Sequence, residues 1–324
     1  MKKVRVGIFF AVLLGLLLFV SCLFDPVSWF RKGKIQDRNQ SFAGVQAEKE
    51  NTTDVLVLGD SEAYTSISPL KLWKNHGFTT YVCGQSSQKI QEAYYMLKTA
   101  LKIQSPKLVI LETNMFFRYE GLVKSVETSS TEASGYYIPL IKYHNLWKKM
   151  ADGSEKAVED YKGFIIRDAV DSYEGGEYMK ETEKRAEIPE YNRWYINVIL
   201  NLCKENKIDV LLYSAPSPKN CNMKRHNAVS DCAEEKGIPY LDLNKKTAEL
   251  GINWKTDSLD KGDHLNLSGA CKVTEYLGKY LKENYNLPDK REDDAYKSWN
   301  DLAEKYKEKA DASLQKIQEK KDGS

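Results

Sequence analysis

Three short apolar runs, separated by stretches with helical spacing, constrain this chain most. Val55-Leu56-Val57-Leu58 ends at Gly59, Thr79-Thr80-Tyr81-Val82-Cys83 ends at Gly84, and Leu108-Val109-Ile110-Leu111 is the third. A strand that is apolar at successive positions is buried on both faces. Between these runs, residues 67–76 read as a helix or helical turn. Residues 88–102 place Ile90, Ala93, Tyr94, Leu97 and Leu101 at helical spacing. Such an alternation predicts a parallel sheet with helices on both faces. The pattern pauses at residues 118–188, read as an insertion with a helix around 140–150. It resumes with a helix at 190–206, a strand at 209–213 and a loop at 214–220. A helix at 222–236, a short strand at 240–243 and a last helix at 268–285 complete it. The expected fold class is α/β, a three-layer α/β/α sandwich whose parallel sheet has about five strands.

The N-terminus is of another kind. Lys2, Lys3 and Arg5 precede an uncharged run from Val6 to Phe24. At about 1.5 Å per residue, that run just spans a hydrocarbon core of about 30 Å. The positive-inside rule then places the rest of the chain outside the membrane. Residues 1–30 are therefore expected to be a signal anchor, a single transmembrane helix. The alternative is a lipoprotein: Phe19-Val20-Ser21-Cys22 is similar to a bacterial lipobox, with Cys22 as the anchored residue. Residues 31–53 are polar and read as a juxtamembrane linker, and 54–287 as the catalytic domain. Residues 288–324 form a charged tail in which Trp299, Leu302, Tyr306, Ala310 and Leu314 recur at helical spacing, which predicts one amphipathic helix, solvated or docked on the body.

Composition excludes several classes. The 48 Lys and Arg residues nearly balance 46 Asp and Glu, giving a formal net charge of +2. A nucleic-acid binder usually carries a strong basic excess, so no nucleic-acid partner is expected. With 42% hydrophobic residues, the chain can bury a sizeable core. Six cysteines are too few for a disulfide scaffold. Cys221 and Cys232 are candidates for one bridge, with free buried thiols as the alternative. No metal site is expected, and no cofactor.

In an open parallel sheet, function gathers at the carboxyl ends of the strands. Gly59-Asp60-Ser61-Glu62 follows the first strand, Gly84-Gln85-Ser86-Ser87 the second, and Glu112-Thr113-Asn114 the third. A serine hydroxyl needs a base before it is a useful nucleophile. Of four histidines, His76 reads as a solvent-facing helix end, His144 lies in the insertion and His226 in a polar stretch. His264 alone stands among acids, in Asp260-Lys261-Gly262-Asp263-His264. Asp260 and Asp263 are both near enough to orient its ring. Asp260 is preferred, because the residue next to His264 would have to fold sharply back.

Gly59-Asp60-Ser61, with Gly84, Asn114 and a C-terminal Asp…His-Leu-Asn, resembles the SGNH/GDSL hydrolase superfamily over about residues 54–285. The resemblance implies a flavodoxin-like sandwich with Ser61 as nucleophile and His264 as base. It also implies an oxyanion hole built from Ser61 N–H, Gly84 N–H and the Asn114 side chain. The family usually places its Asp three residues before the His, a position held here by Lys261. The anchor, the Gly-Asp-Ser-Glu form and the insertion look like one bacterial subgroup. It contains the membrane-tethered D-alanine transfer protein of teichoic acid and alginate O-acetyltransferase-like proteins. That likeness implies acyl transfer to a carbohydrate or cell-wall polymer, beside a multispanning membrane acyltransferase as partner. A scaffold on a degenerate fold, or a lipase or thioesterase, is the alternative. Tyr119, Tyr136, Tyr137, Tyr143 and Trp147 in the insertion read as packing residues, or as platforms for sugar rings.

Overall fold

The computed structural model describes residues 2–22, 26–33, 35, 39–143 and 160–322. Five parallel strands form one sheet in the order β2-β1-β3-β4-β5. They are β1 (Val55–Gly59), β2 (Thr80–Gly84), β3 (Leu108–Glu112), β4 (Asp209–Ser214) and β5 (Tyr240–Asp242). Pairing runs from Val55 against Thr80 on one side and against Leu108 on the other. The chain moves outward from β1 to β2, then crosses back to β3. The carboxyl end of β1 is therefore the point where strand order reverses, and crevices form there.

Side chains alternate across the pleat, so each strand feeds two cores. Leu56, Leu58, Tyr81, Val109, Leu111 and Leu212 pack on one face. They meet α3 (Gln40–Ala47), α6 (Ile90–Ala100), α9 (Glu190–Glu205) and α10 (Met223–Lys236). Val55, Val57, Val82, Ile110 and Tyr213 pack on the other, against α4 (Ser61–Ser66), α5 (Pro69–His76) and α11 (Leu267–Asn284). The three-layer α/β/α sandwich expected from the apolar runs is the fold observed.

The segments that flank the sandwich are helical as well. The stretch read as a linker contains α3, whose Phe42 and Val45 enter the core and whose Gly44 lies against the Tyr81 ring. Five successive residues, Ser41 to Val45, are buried, and that run docks it. The charged tail is α12 (Lys297–Asp322). It is docked, because its apolar stripe meets an indole on α5. Trp73 packs on Tyr296 and Trp299 at 6.0 and 5.5 Å and donates to Asn300 Oδ1 at 2.9 Å.

At the N-terminus, α1 (Lys2–Cys22) is followed by α2 (Pro26–Arg31). Within α1, Lys3–Ser21 is long and apolar enough to cross a membrane, and only 6% of it is buried against the protein. The insertion begins with α7 (Leu122–Tyr137) and α8 (Pro139–Lys142). The helix expected at 140–150 falls largely outside the described residues, as do His144 and Trp147. Tyr143 is buried beside Phe30, Ile35 and Ala43. Tyr136 and Tyr137 surround the Lys98 ammonium, 4.5 and 5.6 Å from their ring centroids. Cys221 and Cys232 are free, buried thiols.

Candidate active site

The end of β1 has to be glycine. A Cβ at Gly59 would stand 2.4 Å from Ala63 Cβ and 2.7 Å from Glu112 Cβ. With that space clear, the chain turns straight into α4. Asp60 is the helix cap and accepts from Glu62 N at 2.9 Å. Ser61 follows in the first turn, 8% exposed. Gly84 pairs with Gly59 across the sheet. A Cβ there would press on the Asp60 carbonyl and the Tyr64 ring at 3.2 Å, so the second strand abuts the serine turn closely.

His264 arrives from the other end of the chain. Its Nε2 and Ser61 Oγ share a hydrogen bond of 2.7 Å. Its Nδ1 lies 2.7 Å from Asp260 Oδ2, and its backbone N–H donates to Asp260 Oδ1 at 2.7 Å. Lys261 and Gly262 explain how a four-residue spacing delivers this contact. Both are left-handed, with φ of 60° and 83°, and they curl the loop back on itself. That conformation is expensive for lysine and free for glycine. The loop is closed by Leu259 N–H donating to the His264 carbonyl at 2.9 Å. Asp263 Oδ1 is 3.9 Å from Nδ1 and instead accepts from Asn220 Nδ2 at 2.5 Å.

The other histidines are arranged differently. His76 is half-buried rather than turned fully to solvent. It stacks on Phe78 at 5.9 Å, and its Nε2 is buried against Gly278. His226 pairs with Asp242 through Nδ1 at 2.7 Å, yet no serine meets it among the described residues. Of the described histidines, only His264 joins an acid on one ring nitrogen and a hydroxyl on the other.

Asn114 comes to the same sheet edge but in a different network. Its amide nitrogen donates to Asp60 Oδ2 at 2.9 Å and to Glu62 Oε1 at 3.2 Å, and its Oδ1 accepts from Arg225 at 2.9 Å. Arg118 completes the set by donating to Asp60 Oδ2 through Nε at 2.6 Å. Arg118 and Arg225 were not singled out in the sequence. Each lies far along the chain from the residue it braces.

Burial pushes the carboxyls of Glu62 and Glu112 well above the usual range. Glu112 and Asp60 beside Glu62, and Asp60 beside Glu112, add to this. Glu112 Oε1 caps Asn114 N–H at 2.7 Å, while Oε2 is buried without a partner. Folded protein thus keeps protons that unfolded protein has already released. The stability held by these neutral acids is full below the ordinary carboxylate value and is lost as pH rises through the raised values. Glu112→Gln keeps the capping oxygen and removes the titration. It is expected to lose less stability than wild type as pH rises above the ordinary carboxylate range in urea unfolding. Equal losses would contradict the assignment of a neutral Glu112.

Asp260, Asp263 and His264 also bring one potential ligand atom each within 4.8 Å of one another. The set fits a metal poorly, because both oxygens of Asp260 and both ring nitrogens of His264 are already hydrogen-bonded. Above Ser61 lies a cleft of about 410 Å³, lined by Ser61, Tyr64, Ile166, Arg167, Leu259 and His264 among others. Its far wall is the second half of the insertion. Ile165 N–H donates to the Tyr64 carbonyl at 3.0 Å, and Lys261 N–H to the Asp171 carbonyl at 2.9 Å. This strap ties α4 to the loop carrying Asp260 and His264.

No family model matches the chain, and no curated protein does. Among solved structures, it is similar to a protein assigned to the lipolytic G-D-S-L family from Desulfitobacterium hafniense. The two are 15% identical with a TM-score of 0.41, over 71% of this chain and 100% of that one. It is also similar to a GDSL-like lipase from Bacteroides thetaiotaomicron, at 13% identity and a TM-score of 0.38, over 75% of this chain and 95% of that one.

Proposed function

We propose that this chain is a serine-dependent esterase or O-acyltransferase of the SGNH type, working through an acyl-Ser61 intermediate. The observation that carries the reading is the unbroken Ser61–His264–Asp260 hydrogen-bond chain at the reversal point of the sheet. Ser61 Oγ attacks the acyl carbonyl while His264 Nε2 takes its proton. Asp260 holds the ring and stabilises the imidazolium. His264 then returns the proton to the leaving alcohol, and water or an acceptor hydroxyl repeats the cycle on the acyl-enzyme.

The N–H groups of Ser61 and Gly84 are the donors for the oxyanion. Asn114 joins them only by turning its amide away from Asp60 and Glu62. A donor aimed at the developing charge is worth about 2.7–4 kcal/mol. We place the cleft outside the membrane, tethered by α1, with a carbohydrate or cell-wall polymer as acceptor and a membrane-embedded acyltransferase as partner. The length and apolarity of Lys3–Ser21 support the tether.

Full-length protein in detergent, given 4-nitrophenyl acetate with and without a soluble oligosaccharide, tests the reading. Release of 4-nitrophenol with acetate appearing on the sugar identifies a transferase, and free acetate alone an esterase. No release under either condition contradicts the proposal.

A further inference from the structure

Arg167 stands out among the charges of the Ser61 cleft. Of the described arginines outside α1, each of the others has a hydrogen-bond partner. Arg118 has Asp60, Arg185 has Asp231, Arg225 has Asn114 and Arg291 has Asp289. Arg31 and Arg193 donate to backbone carbonyls. Arg167 has no hydrogen bond or ion pair from its guanidinium among the described residues. It nonetheless lines the same cleft as Ser61 and His264.

Its backbone, by contrast, is fixed on both sides. The Arg167 carbonyl accepts from Leu267 N–H at 2.8 Å, Ile165 N–H is held by the Tyr64 carbonyl, and the Ala169 carbonyl accepts from Asn266 Nδ2 at 3.2 Å. The strap therefore roots an exposed cation at a fixed point of the backbone. The nearby acids make no ion pair with it. Asp168 pairs with Lys316 at 3.2 Å, and Asp260 is bonded to His264. Opposite the cation, Tyr64 sits three residues beyond Ser61 on the same face of α4, where its phenol is raised by burial and drawn back by the Arg167 charge. Ile166, Ala169 and Leu259 supply the apolar part of a mixed wall that also holds Thr65, Asp168 and Asp260. A guanidinium is a planar fork suited to two oxygens of one anionic group.

We infer that Arg167 is an anion-recognising residue of this cleft, and that the preferred ester carries a carboxylate or phosphate close to the ester bond. The inference rests on the reading of Ser61 as nucleophile, but it makes a separate claim about binding. Three acetyl esters test it in the full-length protein: 4-nitrophenyl acetate as neutral reference, 4-acetoxybenzoate and 4-acetoxyphenyl phosphate. Wild type is expected to prefer an anionic ester. In Arg167→Gln, the ratio of kcat/KM for the anionic over the neutral ester should fall about 10- to 100-fold, mainly through KM. Lys279→Gln on α11, away from the cleft, should leave the ratio alone. The ester that loses more tells carboxylate from phosphate.

Calorimetry on Ser61→Ala, with and without Arg167→Gln, reads binding of the same two anionic esters without turnover. Weaker binding in the double variant supports the inference even if no ester is hydrolysed, in which case only the reading of Ser61 fails. An unchanged kcat/KM ratio, or binding to Ser61→Ala that does not depend on Arg167, would overturn it.

Discussion

Ser61→Ala in the full-length protein is expected to lower hydrolysis of 4-nitrophenyl acetate by at least about 10³-fold. Ser61 Oγ is the hydroxyl bonded to His264. The nearest alternative on the same helix face, Thr65, has its hydroxyl donated to the Ser61 carbonyl at 2.8 Å. The substitution also leaves the turn intact. Asp60, not Ser61, caps α4, and its bond to Glu62 N–H does not involve the serine side chain. Urea unfolding should therefore stay within about 1 kcal/mol of wild type, so that lost turnover reports chemistry rather than unfolding. Retained turnover in Ser61→Ala would remove Ser61 from the reaction.

The second large effect separates the two acids beside His264. Asp260→Asn is expected to cut kcat by about 10³- to 10⁴-fold, because an amide favours the wrong imidazole tautomer and cannot stabilise the imidazolium. Asp260 also receives the His264 backbone N–H, so the amide disturbs the loop closure as well. Asp263→Asn should cost about tenfold or less, since Asp263 is 3.9 Å from the ring and bonded to Asn220. Measured side by side in one assay, the reverse order would assign the triad acid to Asp263.

Much of this arrangement could be read beforehand, for physical reasons. Continuous apolar runs such as Val55–Leu58 have no solvent-facing alternative, so strand identity and the site's place at their carboxyl ends follow together. The convergence of Ser61, His264 and Asp260 was legible because each lies at a turn whose neighbours are distinctive. What stayed hidden depended on distant partners or on irregular backbone. Asn114 reads as a plain donor until Asp60, Glu62 and Arg225 are seen around it. The strap at residues 165–171 has no period to detect, yet its hydrogen bonds to Tyr64, Leu267 and the Asp260 loop form a wall of the cleft. The docking of α12 needed Trp73, more than two hundred residues away. The helix α3 was masked by the polar stretches on either side of it, because small residues such as Ala43 and Gly44 are buried there without a strong apolar signal.

Intact-protein mass spectrometry after treatment with a fluorophosphonate, followed by peptide mapping, tests the central claim most directly. Such a reagent forms a stable bond only with a hydroxyl activated by a neighbouring base. The account predicts one adduct per chain, on Ser61, in wild type, and none on the same timescale in His264→Ala. An unmodified wild-type protein, an adduct on another residue, or equal labelling of Ser61 without His264 would contradict it.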